Sequence, residues 1–239
     1  MKFKRAICLF EQSGTFKHQF ELLGYPAFDY DLLNEFGCTD FVVDLFQQIN
    51  EKYNNSYEYN IFDDFTEDDI ILAFFPCTRF ETQISMAFRG ESYQMRDWKP
   101  VRKLDYAMKL HNELHEYYMI LCKLCTICYK NNLRLIVENP FTQPHYLNSY
   151  FPLKPSIIDY DRRVNGDYYK KPTQYFFINC EPEYSFTLEI MDGIKNNITK
   201  CSNIDNKSRK TSRSMISPVY AKRFIEKYII GENIFKGDI

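Results

Sequence analysis

Three short stretches and three aspartates of the 239-residue chain place reactive side chains where a fold could use them. In FFPCTRFE, Phe74 to Glu81, Cys77 follows an apolar run and Pro76, which leaves a thiol at a predicted strand end rather than inside a packed helix. A thiolate there is a candidate nucleophile, and the nearby Arg79 predicts a lowered thiol pKa. In VENPF, Val137 to Phe141, Glu138 closes an apolar run. A carboxyl partly shielded from water can donate a proton near neutrality, the plain alternative being a cap for the next helix. In FEQSGTF, Phe10 to Phe16, a small-residue turn lets a ligand approach the backbone and a helix N-terminus. Of the three glycines that a dinucleotide fingerprint needs, only Gly14 is present, so a nucleoside without pyrophosphate suits the turn better. Asp29 or Asp31, at the second predicted strand end, could accept hydrogen bonds from ribose hydroxyls, and Asp44, at the third, could read an adenine or ribose edge. A helix cap or a solvated loop is the plain alternative for each aspartate.

The elements that must hold these residues alternate. Arg5 to Phe10 reads as a buried strand and Phe16 to Leu23 as a helix stopped by Gly24. Pro26 to Tyr30 and Phe41 to Val43 read as strands, the latter followed by an amphipathic helix through Tyr53. Asp69 to Phe75 is a strand ended by Pro76, a long helix covers Pro100 to Asn131, and Leu133 to Val137 is a fifth strand. This alternation predicts an α/β fold with a mostly parallel sheet and helices on both faces. In such sheets ligands bind beyond the carboxyl ends of the strands, where the polar residues above fall. After Pro152 the texture changes to short β-like pieces, SIIDYD and TQYFFIN, separated by the polar turn RRVNGDYYKK. Ser217-Pro218 then caps a last amphipathic helix, VYAKRFIEKYII.

Composition narrows the class. With 45% hydrophobic and 26% charged residues, 19 Tyr and 21 Phe, the chain has ample material for a core, which excludes disorder throughout. A net charge of -2 excludes a generally basic nucleic-acid coat, so any such contact needs a local patch. The candidate is 193–213, where Lys195, Lys200, Lys207, Arg209, Lys210 and Arg213 face the single acid Asp205. It reads as a solvated loop or as a phosphate-binding arm. Cys122, Cys125 and Cys128 form a CxxCxxC run, but on a helix these thiols share a stripe with Leu121 and Leu124, and buried core cysteines are the better reading. His111 and His115 are four apart, yet Asn112 stands where a zinc protease needs Glu, so no metal is expected. No apolar run reaches the ~20 residues that cross a bilayer, and the start lacks a signal-peptide core, which gives the expectation of a cytoplasmic protein without membrane contact.

The order SGTF, GYPAFDYDLL, PCTRF, ENP, KPTQYF, SRSMISPVYA, running from Phe10 to about Ala221, resembles the cytosine-5 DNA methyltransferases, in particular a short phage-associated branch with SGT-x-R, PPCT and ENP signatures. The resemblance implies a Rossmann-like methyltransferase sheet that binds S-adenosylmethionine. It places the cofactor turn on Phe10, Glu11, Ser13, Gly14, Thr15 and Phe16, the ribose acid on Asp29 or Asp31 and the adenine-side acid on Asp44, with Pro76 alongside. It makes Cys77 the nucleophile that adds to carbon 6 of a flipped-out cytosine and Glu138 the group that supports the ring at nitrogen 3. Arg163, with Arg79 and Lys171, falls near the family's basic substrate-contacting motif. Asn139, Lys207, Arg209, Lys210 and Arg213 are the remaining substrate-side candidates. The sequence also departs from the family. Glycines are missing from the turn, Thr78 follows the cysteine where Gln is usual, and Arg162-Arg163 or Lys171 must stand in for a paired-arginine motif.

The implied organisation is a catalytic core over 1–178, a reduced recognition segment over 179–214, and a C-terminal helix over 215–239 returning to the core. So small a recognition segment implies short or relaxed specificity on DNA, or a partner protein that supplies it. A phage-encoded chain would work in the host cytoplasm. The alternatives are a methyltransferase-like module that binds DNA or a host protein without turnover, as in defence evasion, and methylation of RNA or a free nucleotide.

Overall fold

The computed structural model describes residues 2–56, 58–81, 84–142, 145–185 and 215–231. Seven strands form one sheet: β1 (Arg5–Leu9), β2 (Ala27–Asp31), β3 (Phe41–Val42), β4 (Asp69–Phe74), β5 (Arg134–Pro140), β6 (Ile157–Asp159) and β7 (Thr173–Ile178). Their order is β3-β2-β1-β4-β5-β7-β6. The pairings from β3 across to β5 are parallel, whereas β7 runs antiparallel to both β5 and β6. The central strands read as unbroken apolar runs because both faces are covered. Ile7, Leu9, Ile71 and Ala73 pack with α2 (Leu45–Tyr53) and α4 (Pro100–Lys130) on one face. Ala6, Cys8, Ile70 and Leu72 pack with α1 (Thr15–Leu22) and the C-terminal α6 (Pro218–Phe224) on the other. Two short helices, α3 (Ile84–Phe88) and α5 (Tyr146–Tyr150), complete the set, and α6 continues as a π-helix over Ile225–Ile230.

The chain steps outward from β1 to β3 and returns to β4 on the other side of β1. The direction of winding therefore reverses between β1 and β4, and a crevice opens beyond their carboxyl ends. One feature differs from the sequence reading: β5 does not stop at Val137, because Glu138, Asn139 and Pro140 pair with Tyr175, Gln174 and Thr173, so Glu138 sits inside a strand rather than closing one. The sheet is mostly parallel, as the alternation predicts, and β7 is the strand that runs against its neighbours.

The cysteine run lies on α4, with Cys125 and Cys128 buried and Cys122 half-buried; burial pushes all three thiols up. The His111 ring packs on Phe88 at 4.6 Å. Among the described residues no helix is long and apolar enough to cross a membrane, and no three His, Cys, Asp or Glu side chains are grouped to hold a metal.

Candidate active site

The crevice contains two adjoining cavities that share Phe10, Gln12, Asp31, Phe74, Pro76 and Thr78 as common wall. The smaller, about 250 Å³, is lined by Glu11, Ser13, Cys77, Glu138 and Lys171 as well. The larger, about 590 Å³, adds Leu32, Leu33, Asp44, Phe46 and Tyr117. Loops after β1, β2 and β4, with the carboxyl-terminal part of β5, thus converge on one opening, as a doubly wound sheet requires.

The turn after β1 is held from within. Phe10 adopts φ +60°, a left-handed conformation that costs a bulky residue energy, and its ring is gripped edge-on by Phe46 and Phe75. Gly14 at φ +63° takes a left-handed conformation that residues with a side chain rarely adopt, so glycine suits this turn position. Glu11 occupies the N-terminus of α1 with its own carboxylate. Its Oε1 accepts from Phe16 N–H (2.7 Å) and its Oε2 from Lys17 N–H (3.3 Å). A phosphate would compete with that carboxylate for the same donors, which supports the nucleoside-type reading of the turn.

Burial raises the Glu11 carboxyl to about 7 from an ordinary 4.5, against the pull of the two backbone donors. The folded chain therefore binds this proton more tightly than the unfolded chain does. The stability so contributed is complete below about pH 4.5 and lost as pH rises through 7. Glu11→Gln should flatten that part of the profile. Compared with wild type, the variant gains about 2–3 kcal/mol at pH 8 relative to pH 5, read from urea midpoints at the two pH values. Any hydrogen bond that the amide makes badly costs the same at both and cancels.

Of the two candidate acids on β2, the structure brings Asp31 to the cavity and not Asp29. Asp29 is fully buried, accepts from Lys17 Nζ (3.1 Å) and Asp40 N–H (2.7 Å), and holds the turn from beneath. Asp31 accepts from Leu33 N–H (2.8 Å), and burial raises its carboxyl. Asp44 is both a cap and a wall: its Oδ1 accepts from Phe46 and Gln47 N–H at the start of α2, and the residue borders the larger cavity. Phe16 is buried in the core against Phe74 and Phe224, while Gly14 and Thr15 border a separate surface depression beside α1, into which Ser13 also faces.

Cys77 is half-buried, and its surroundings reverse the expected pKa shift. Burial raises the thiol strongly, Glu81 and Glu138 add to the rise, and Lys171 alone opposes it. Arg79 gives no help because its guanidinium is bound to Glu113 on α4 at 2.5–2.6 Å. Instead the thiol donates to Glu81 Oε1 at 3.1 Å. Glu138 is buried, with Oε1 making no hydrogen bond and lying 3.8 Å from the guanidinium of Arg162.

Arg162, and not Arg163, is the arginine of this site. Arg163 turns back on Asp161 (2.6 and 2.9 Å) and lies at the surface. Arg162 is fully buried, paired with Asp167 at 2.5 Å and stacked over the Tyr220 ring at 4.5 Å. Burial opposes its charge, and Asp167 foremost among its neighbours outweighs that and keeps it protonated. Asn139 faces inward, donating to the Phe75 carbonyl (3.0 Å) and tying β5 to the loop that carries Cys77. Lys171 does line the Cys77 cavity, whereas Lys207, Arg209, Lys210 and Arg213 lie outside the described residues. Sequence reasoning missed Glu81; its spacing of four from Cys77 was the one available signal.

Comparison with protein-family models finds no match, and no curated protein matches the chain.

Proposed function

We propose that this protein is an S-adenosylmethionine-dependent methyltransferase acting on carbon 5 of cytosine in DNA, with Cys77 as a covalent nucleophile. The observation that carries the reading is the convergence of the Cys77 thiol, the buried Glu138 carboxyl and Lys171 in one small cavity, joined to a larger cavity walled by acids and aromatic rings. The seven-stranded sheet with one reversed strand fits the methyltransferase version of the Rossmann-like fold that the sequence resemblance implies.

The larger cavity suits a nucleoside sulfonium. Asp31 and Asp44 can accept from hydroxyls, Leu32, Leu33 and Phe46 offer apolar surface to a ring, and in the adjoining smaller cavity Glu11 at the helix N-terminus disfavours phosphate. S-adenosylmethionine held there would supply an electrophilic methyl group. The chain's own residues do the rest. The Cys77 sulfur adds to carbon 6 of the cytosine, which makes carbon 5 nucleophilic, and the Glu138 carboxyl donates its proton toward nitrogen 3 as charge builds on the ring and recovers it when the 5,6 double bond re-forms. Arg162 beneath Glu138 fixes the carboxyl's position and charge environment. Elimination of the carbon 5 proton then releases the sulfur. A duplex base reaches so recessed a site only by leaving the stack.

Nucleoside mass spectrometry of DNA from a methylation-deficient host expressing the protein tests this. 5-Methylcytosine above background is the expected result. Its absence, together with no binding of S-adenosylmethionine in titration, would favour a module without turnover; transfer to RNA or to free nucleotides alone would move the substrate. In purified protein Glu138→Gln should lower the rate of transfer about a hundredfold or more while DNA affinity stays within a few-fold. Equal losses in both would make Glu138 a structural residue.

A further inference from the structure

A raised thiol pKa poses a problem for a nucleophile, and the loop after β4 contains an answer. Phe80 N–H donates to the Cys77 carbonyl (2.9 Å), closing a turn that brings Glu81 back under the sulfur. The Phe80 side chain is buried, stacked on Tyr146, and its carbonyl accepts from Tyr146 N–H (3.2 Å), so the turn is anchored from both sides. The result is a direct contact of 3.1 Å between Cys77 Sγ and Glu81 Oε1. Three charged groups face the thiol, Lys171, Glu81 and Glu138, and the thiol's hydrogen bond goes to Glu81. His145, buried at the start of α5, faces Glu81 in turn. In this setting the resting thiol keeps its proton, so attack requires a base in contact with the sulfur.

We propose that Glu81 is the base that takes the Cys77 proton as sulfur attacks and returns it when sulfur departs, an assignment that rests on the covalent transfer reading above. In the forward step the S–H bond breaks, the proton passes to Glu81 Oε1, the S–C6 bond forms, and the C5=C6 electron pair becomes available at carbon 5. After carbon 5 has taken the methyl group and lost its proton, the C5=C6 bond re-forms, the S–C6 bond breaks, and the departing sulfur recovers its proton from Glu81. Glu81 is thus unchanged over the cycle, and the proton released overall is the one from carbon 5. The same contact has a second effect, since a carboxylate against the thiol holds back free thiolate and protects Cys77 from adventitious alkylation.

The two effects have opposite signs in one variant. Glu81→Gln should slow methyl transfer about a hundredfold, with S-adenosylmethionine affinity unchanged. It should also speed iodoacetamide labelling of Cys77 several-fold at pH 8, measured on the Cys77 peptide by mass spectrometry. Should the Gln variant fold poorly, Glu81→Asp keeps the charge but withdraws it from the sulfur; transfer should fall while labelling rises, though less than in the Gln variant. Unchanged transfer in a folded Gln variant, or transfer and labelling falling together, would overturn the role of Glu81. A wild-type protein that transfers methyl groups to no tested acceptor overturns the enzymatic reading itself and takes the assignment with it.

Discussion

Cys77→Ala should abolish methyl transfer, lowering it at least about a thousandfold, while S-adenosylmethionine binds within a few-fold of wild type. The first part follows from the chemistry of the cavity. Among the described residues lining it, Cys77 is the one thiol, and no hydroxyl beside it has the nucleophilicity to open a pyrimidine 5,6 double bond in its place. The second part follows from the partition of the crevice. Cys77 borders the smaller cavity and not the larger one where Asp31, Asp44 and Phe46 would hold the nucleoside. Titration calorimetry with S-adenosylmethionine and a tritium-transfer assay on the same preparation check both. The fold should tolerate the change, since Cys77 is half-buried, its side-chain hydrogen bond goes to Glu81, and its carbonyl keeps the bond from Phe80 N–H in the variant. Undiminished transfer in Cys77→Ala would remove the covalent mechanism.

How much of this was legible in the sequence depends on whether the information was local. Strands β1 and β4 were visible because strands covered on both faces read as near-continuous apolar runs, and after their first residues, Arg5 and Asp69, AICL and IILAF do. The crevice followed, since every parallel strand brings its carboxyl end to the same edge. Long-range pairing was not legible. Asp29 and Asp31 lie two apart on β2 and share a face by the strand's own period, so the pattern cannot separate them. What separates them is how far the α1 turn reaches: it covers Asp29, which binds Lys17, and leaves Asp31 at the cavity. The same holds for the adjacent arginines. In a tight 3-10 turn neighbouring side chains diverge, and Arg162 is drawn inward by Asp167 and by Tyr220, which lies fifty-eight residues later in the chain. Phe10 shows local preference overridden: a left-handed turn position that favours glycine is filled by a ring whose packing on Phe46 and Phe75 offsets the strain.

The buried charges beneath the site carry the largest expected effect on stability. Arg162→Met should destabilise the fold by about 3–5 kcal/mol, because Asp167 and Glu138 would remain buried without their cation. Asp167 also accepts through Oδ1 from Ser217 N–H (2.9 Å) and Tyr168 N–H (2.8 Å), joining the start of α6 to the floor of the site. Asn at position 167 can keep that acceptor while removing the charge. The double variant Arg162→Met/Asp167→Asn should therefore regain part of the lost stability, with a coupling of about 1–3 kcal/mol in urea titrations across the four-member cycle. Strict additivity would mean that the 2.5 Å contact contributes nothing. Activity should not return with stability, because Met leaves Glu138 without the guanidinium 3.8 Å away. A double variant that folds but does not transfer would separate the two roles of Arg162: one in neutralising buried Asp167, the other in setting the charge environment of the carboxyl that meets the base.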